Sequence, residues 1–171
     1  MSSQTNEITA LSEKLGELLL EKGLSVTTAE SCTGGGIAAA ITETAGSSSY
    51  FNCAWVTYSN EMKSRLVGVE TNTLDQHGAV SRDVVVQMAY GALKNAKADM
   101  AIAVSGIAGP GGGTPDKPVG TVWAAIVYAV DTEESTVWTQ QYLFCGNRKS
   151  IRDQTTEATL RKASEILEEK K

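Results

Sequence analysis

The sequence is poor in the side chains that usually bind metal ions. Its 171 residues include one histidine, His77, and three cysteines, Cys32, Cys53 and Cys145. The cysteines are too far apart for a zinc pattern or a thioredoxin-like pair, and a single histidine excludes multi-histidine sites. We therefore expect no metal and no cofactor. The odd cysteine count, without a disulfide framework, favours a reducing compartment, so we expect a cytoplasmic protein.

Long apolar runs and an excess of positive charge are also absent. The longest unbroken apolar run covers residues 122–130, well short of the roughly 20 residues that a membrane-spanning helix needs. Residues 1–7 show no basic segment followed by an apolar core, so we expect no secretory signal. With 15 Lys and Arg against 20 Asp and Glu, the net charge is −5, which argues against the basic surface typical of nucleic-acid binding. We expect neither a membrane nor a nucleic acid as a partner.

The sequence does contain a regular succession of helix and strand patterns. The last two predicted strands are expected to form a hairpin with its turn at 131–135. The order of elements predicts a single domain, 1–171, with an ordered core of about 6–168 and a three-layer α/β/α fold around a mixed sheet of about five strands. Predicted helices cover about 8–22, 37–41, 61–67, 81–93 and 147–169, and predicted strands 24–28, 50–58, 100–104, 121–130 and 136–144.

A run of small residues, AESCTGGG at 29–36, joins the first predicted strand to an Ala-rich helix, and Ser31 has two interpretations there. It can be the N-cap of the helix, a common role for serine. Alternatively, it is a nucleophile beside the free N–H groups of residues 31–36, which would form an oxyanion hole. The glycines favour close approach of a ligand, because each costs about 1 kcal/mol relative to Ala inside a helix. No lysine follows them as in a Walker motif, so we do not expect a nucleoside triphosphatase.

A nucleophilic serine needs a base, and the sequence offers two candidates. His77 precedes Gly78 at a helix end, where histidine is a common partner of the helix dipole. Lys63 follows Tyr58 just beyond the second predicted strand, and sites in α/β sheets form at the carboxyl ends of strands. Lysine acts as a base only if burial or a neighbouring cation lowers its pKa; otherwise Lys63 is a solvated helix residue. The residues alone leave these assignments open.

The segment 106–120, GIAGPGGGTPDKPVG, holds six of the 16 glycines and all three prolines. It can be a plain long turn between strands. Its length and its stiffening prolines instead favour an ordered functional loop, in which successive glycine N–H groups bind a phosphate or ribose. Arg148, at the start of the last predicted helix, is either a phosphate anchor or a surface charge. The cysteines are interpreted as small buried hydrophobic residues, although Cys32 is adjacent to Ser31.

Five short motifs lie in order along the chain: AESCTGG at 29–35, YSNE at 58–61 with Lys63, LVGV at 66–69, GAVS at 78–81, and SGIAGPGGGT at 105–114 with DKPVGTV at 116–122. Together they resemble the CinA C-terminal domain family, over about 11–167. Gly36 is a local departure, where a larger apolar residue would be expected, and it bears on helix packing only.

The resemblance implies an enzyme that hydrolyses the carboxamide of nicotinamide mononucleotide (NMN) to nicotinate mononucleotide and ammonia, in NAD recycling. Longer members carry an extra N-terminal domain that this chain lacks, so the stand-alone form is expected. Carried over from the family, Ser31 would be the nucleophile, Lys63 the general base and Tyr58 its hydrogen-bonding support. The family also suggests a homodimer or larger homo-oligomer. The implied substrate contacts are Thr33, Gly34, Gly35, Asn60, Ser105, Gly106, Ile107, Gly109, Gly112, Gly113, Thr114 and Arg148.

Two alternatives stay open. The chain can be a non-catalytic nucleotide-binding or regulatory member of the family, which would bind ligand without turnover. It can also be a different nucleotide hydrolase or phosphate-transfer enzyme built on the same loops, which a magnesium requirement or phosphate release would reveal.

Overall fold

The structure, a computed structural model, describes residues 3–129 and 135–169. Helices and strands alternate as far as the second strand, which follows a 3-10 turn at Ser47–Ser49, and three successive helices then lead to the third strand. The helices are α1 (Ser3–Lys22), α2 (Gly36–Glu43), α3 (Asn60–Val67), α4 (Thr71–His77), α5 (Arg82–Ala96) and α6 (Arg148–Glu169). The strands are β1 (Val26–Glu30), β2 (Phe51–Val56), β3 (Met100–Gly106), β4 (Thr121–Tyr128) and β5 (Thr136–Leu143).

The five strands form one mixed sheet in the order β2-β1-β3-β4-β5. The first three run parallel, so the carboxyl ends of β1, β2 and β3 meet at one edge. The last two are antiparallel to their neighbours, as the predicted hairpin requires, although its turn at 131–134 lies outside the described residues. The predicted sheet of five strands is confirmed.

Helices cover both faces of the sheet, which confirms the three-layer α/β/α prediction. On one face α1, α2 and α6 pack against alternate residues of β3, including Ile102 and Val104. On the other face α5 packs against Ala101 and Ala103, whose small side chains let it lie close to the sheet, and α3 and α4 pack against α5. Gly91 of α5 lets α3 lie close to α5, because a Cβ at this position would sit 1.8 Å from the carbonyl oxygen of Val67.

Several elements differ from the predictions in their bounds or number, including β1, α3 and α4. Strand β1 lies two residues later than predicted and ends at Glu30; all five of its residues are buried, so alternation could not mark its ends. Helix α3 is capped by Ser59, which accepts a hydrogen bond from the N–H of Met62, and it begins at Asn60, one residue earlier than predicted. The structure also adds the short helix α4.

Among the described residues, no helix combines the length and the apolar character needed to cross a lipid bilayer.

Candidate active site

The turn that follows β1 presents Ser31 at the carboxyl edge of the sheet. Ser31 is 8% exposed, and its own N–H donates to the carbonyl of Val104 at 3.0 Å. The N-cap of α2 is Gly35, with φ +92°, so the interpretation of Ser31 as the helix N-cap is wrong. The carboxylate of Glu30 takes that role instead, since it accepts the N–H groups of Gly35, Ile37 and Ala38. The hydroxyl of Ser31 is therefore left for another partner.

That partner is Lys63, which α3 places beneath the same edge. The side chain of Lys63 is buried, with 1% of its surface exposed. Its Nζ lies 3.0 Å from Oγ of Ser31, 2.8 Å from the carbonyl oxygen of Thr57 and 3.4 Å from that of Tyr58. Both carbonyls belong to the segment between β2 and α3. The interpretation of Lys63 as a solvated helix residue is wrong.

These contacts dictate where the lone pair of a neutral Lys63 points. An uncharged amine has two N–H donors and one lone pair, and carbonyl oxygens can only accept hydrogen bonds. When Thr57 and Tyr58 take the two N–H groups, the lone pair is left for the hydroxyl hydrogen of Ser31. The geometry thus suits proton transfer from Ser31 to Lys63.

Burial lowers the pKa of Lys63 from its ordinary value of 10.5 to about 8. The opposing influence is the thiol of Cys32, whose negative form would raise that pKa, and no acidic residue contributes. A substantial fraction of Lys63 is therefore neutral in mildly alkaline solution.

The neighbouring candidates for nucleophile and base are poorly suited. Burial, followed by the negative charge of Glu30, raises the pKa of Cys32 to about 12, so its thiol stays protonated. His77 lies at the end of α4, where its Nδ1 is 3.8 Å from a carboxylate oxygen of Asp83 and its carbonyl accepts from Lys117. The structure brings Lys63, not His77, to Ser31.

A cleft of about 290 Å³ opens over the Ser31–Lys63 pair. Apolar and glycine residues form most of its wall, and its two cationic side chains are Lys63 and Arg148. No acidic side chain lines it. The lining residues are Ser31, Cys32, Tyr58, Asn60, Lys63, Ala79, Val80, Ser105, Gly106, Ile107, Ala108, Gly109, Gly111, Gly112 and Arg148.

Tyr58 supports the site differently from the expectation. Its hydroxyl accepts a hydrogen bond from Nη2 of Arg148 at 2.8 Å, while Nη1 of Arg148 donates to the carbonyl of Gly109 at 2.8 Å. Contact with Lys63 is through the main-chain carbonyl of Tyr58. The Tyr58 side chain therefore holds Arg148 at the rim of the cleft, and not the lysine.

Five of the implied substrate contacts do not reach the cleft. Thr33 and Gly35 are engaged by the carboxylate of Glu30, and Gly34 lies next to them, facing Arg152. Thr114 closes a turn with Lys117, and Gly113 precedes it on the outer part of the loop. Local hydrogen bonds or position keep these five residues out of the cleft wall, and their assignment as substrate contacts stays a prediction.

The part of the Gly-rich loop that lies nearer to β3 has main-chain N–H groups that are available to a substrate. Within the described ranges, the N–H groups of Ala108, Gly109, Gly111 and Gly112 donate no hydrogen bond. Positive φ angles at Gly109 (+73°) and Gly112 (+87°) turn this segment around the cleft. Four free N–H groups next to an arginine can bind an anionic group.

The sequence reasoning missed five residues that line the cleft: Cys32, Ala79, Val80, Ala108 and Gly111. Ala79 and Val80 belong to the GAVS motif, which was noted only as part of the resemblance. Ala108 and Gly111 sit inside the recognised loop. Their apolar or absent side chains carry no chemical signal, so only the position of the motifs could have indicated them.

Comparison with known proteins shows which family the chain resembles. The family model for the CinA C-terminal domain matches residues 8–167. A nicotinamide-nucleotide amidohydrolase, PncC, of Escherichia coli K12 is 52% identical over 151 residues, covering 88% of this chain and 89% of that protein. PncC of Pseudomonas putida is 50% identical over 153 residues, covering 90% and 92%. A crystal structure of a competence/damage inducible protein from Agrobacterium tumefaciens matches with a TM-score of 0.89 at 42% identity, covering 95% of this chain and 96% of that one.

Proposed function

This chain belongs to the CinA C-terminal domain family, and on that premise we propose that it is a nicotinamide-nucleotide amidohydrolase that converts NMN and water to nicotinate mononucleotide and ammonia, in NAD recycling. The similarity to proteins named for that activity supports the substrate class. The observation that carries the chemistry is the buried Lys63 amine, 3.0 Å from Oγ of Ser31 and held by two carbonyls.

In the first half-reaction, Oγ of Ser31 attacks the carboxamide carbon while Lys63 accepts the hydroxyl proton. The tetrahedral oxyanion is stabilised by main-chain N–H groups at the cleft. The N–H of Cys32 is the best placed by sequence, since it follows the nucleophile and donates to no oxygen within the described ranges. Such a donor contributes about 3–4 kcal/mol to transition-state stability. Lys63 then returns its proton to the leaving nitrogen, and ammonia departs.

In the second half-reaction, water hydrolyses the acyl-enzyme. Neutral Lys63 takes a proton from the water as it attacks the ester carbonyl. The proton then passes to Oγ of Ser31, which leaves, and nicotinate mononucleotide is released. Both half-reactions use the same base and the same oxyanion donors.

Arg148 and the free N–H groups of the loop would bind the phosphate of the substrate. A cleft lined by the guanidinium of Arg148 and by no acidic side chain suits a ligand of net negative charge. Tyr58 and Gly109 fix the guanidinium in place, so little side-chain freedom is lost on binding.

Replacing Arg148 with alanine should raise the KM for NMN about 10- to 100-fold, because a hydrogen bond to a charged group is lost. The kcat/KM for nicotinamide riboside, which has no phosphate, should be the same in both proteins. Arg82→Ala, which alters an exposed arginine on α5, is the matched control. Equal losses for nucleotide and nucleoside would show that Arg148 does not bind the phosphate.

The proposal is tested by ammonia release from NMN, with and without a chelator. Stoichiometric ammonia and nicotinate mononucleotide, unaffected by the chelator, would support it. Binding of NMN without turnover would point to a regulatory module, and release of inorganic phosphate to a phosphate-transfer enzyme. Either result would overturn the proposal.

The activity should rise with pH through the pKa of Lys63. Only the neutral amine accepts a proton, and its pKa in the folded protein is about 8. The plot of log kcat/KM against pH should therefore climb with unit slope below about 8 and level off above it. A profile that is flat across this range would contradict the assignment of Lys63 as the base.

A further inference from the structure

Glu30 is a fully buried carboxylate with no role in the proposed proton transfers. Its side chain is 0% exposed. It is adjacent to Ser31 in sequence, yet its carboxylate is hydrogen-bonded to other groups, not to Ser31 or Lys63. Burying a carboxylate costs free energy unless it is fully hydrogen-bonded, so the hydrogen-bond partners of Glu30 indicate its role.

The two oxygens of Glu30 accept five hydrogen bonds. Oε2 accepts from the hydroxyl of Thr33 at 2.5 Å and from the N–H groups of Gly35 and Ile37 at 3.1 Å each. Oε1 accepts from the N–H of Ala38 at 2.8 Å and the hydroxyl of Thr28 at 3.1 Å. All of these donors except Thr28 lie in the turn after Ser31 or in the first turn of α2.

The main chain of Glu30 is fixed as well. Its carbonyl accepts from the N–H of Thr57, the residue whose own carbonyl holds Lys63. From the outside of the turn, Arg152 donates two hydrogen bonds to the carbonyl of Thr33, at 2.7 and 3.2 Å. The turn that carries the nucleophile is therefore held from within by Glu30 and from without by Arg152.

We propose that Glu30 is a positioning residue for the nucleophile: its buried carboxylate folds the turn at 31–35 so that Ser31 meets Lys63 and the N–H of Cys32 stays free for the oxyanion. Because Glu30 accepts the N–H groups of Gly35, Ile37 and Ala38, these groups at the start of α2 are not available to bind the oxyanion or the phosphate. This inference rests on the proposed function, because it assigns Ser31 as the nucleophile.

Glutamine is the sharpest replacement for Glu30. It keeps the shape but turns one acceptor oxygen into an NH2 group, which would face an N–H donor wherever it is placed. A shift of the turn by about 1 Å is enough to lower a rate on the order of 10²-fold. We expect kcat to fall about 10-fold in Glu30→Gln and on the order of 10²-fold in Glu30→Ala, with KM and the pH midpoint of the profile unchanged.

Reaction of Ser31 with a fluorophosphonate provides a second measurement that does not need NMN. Its labelling rate should fall in parallel with kcat. Thr33→Val removes one donor to Glu30 and leaves the fold of the turn otherwise intact, so it tests the inference if the Glu30 variants fail to fold; a smaller loss of both rates is expected. Leu167→Ala, in the last turn of α6 and in the core cluster away from α3 and α5, controls for lower stability alone and should leave both rates unchanged.

The outcomes separate the two claims. If the unaltered protein releases no ammonia from NMN but Ser31 labelling falls in the variants, the proposed function fails and the positioning role stands. If the folded Glu30 and Thr33 variants keep the kcat and labelling rate of the unaltered protein, Glu30 contributes to stability only and the inference is overturned. Failure of Ser31 to label in any form would overturn both.

Discussion

Replacing Lys63 with methionine is expected to lower kcat for NMN deamidation by about 10²–10⁴-fold, the usual contribution of a general base. Methionine is of similar length and suits a buried position, but it cannot accept the proton of Ser31. Its lack of charge should leave KM nearly unchanged, because phosphate binding is assigned to Arg148. Steady-state ammonia release measures both constants.

Two further variants make this result specific. Lys63→Arg keeps a cation at the site but stays protonated, so it should be as inactive as the methionine variant. Lys149→Met removes an exposed lysine that pairs with Asp153 on α6, and it should keep full activity. An active Lys63→Arg enzyme would show that position 63 supplies charge and not a base.

Lys63→Met should also change how the stability of the folded protein depends on pH. Below pH 8 the lysine is charged in both the folded and the unfolded state, and the folded protein bears the cost of a buried ammonium. Between about 8 and 10.5 the folded state has lost its proton while the unfolded state still binds it, so stability rises with pH. The Tm of the unaltered protein should therefore increase relative to Lys63→Met across this window. A constant difference would mean that burial does not shift the pKa.

Replacing Ser31 with alanine is expected to cost at least about 10⁴-fold in kcat, since loss of a nucleophile removes the covalent route. Lys63 keeps its two carbonyl partners, so the fold should lose only the net value of one hydrogen bond, about 1 kcal/mol. Affinity for NMN, measured by calorimetry on the inactive variant, should be retained.

A matched serine makes the comparison clear. Ser164 is also buried, and its hydroxyl bonds to the carbonyl of Leu160 within α6. Ser164→Ala should keep the full rate. A Ser31→Ala protein that retains most of its activity would mean that water attacks the amide directly, and the acyl-enzyme mechanism would have to be abandoned.

Much of the architecture could be predicted because local signals mark it. Gly23 ends α1 with a positive φ of +66°, and Ser81 caps α5 through the N–H of Val84. The alternation of helices and strands then predicts the layers. Strand β1 lies two residues later than predicted because all five of its residues are buried, so no alternation of exposed and buried residues marks its limits.

The site was only partly predictable, because its contacts join residues that are far apart in the sequence. The Ser31–Lys63 pair could be suggested by strand ends and by family resemblance, but the burial of Lys63 depends on contacts that no local pattern reveals. Glu30 and not Ser31 caps the start of α2, because the longer acidic side chain folds back over the turn and accepts hydrogen bonds from three N–H groups. The pairing of Tyr58 with Arg148 joins residues 90 positions apart, beyond the reach of sequence spacing.

Gly91 links the proposed proton transfer to a helix contact outside the cleft. It lets α5 touch the last turn of α3, the helix that carries Lys63, and a single methyl group there would force the two helices apart. The amine would move with its helix, whereas Ser31 is anchored to the sheet. In the proposed mechanism, the alignment of Lys63 with Ser31 thus depends on how closely α3 and α5 pack. The positions that tolerate least change therefore include residues that do not contact the substrate.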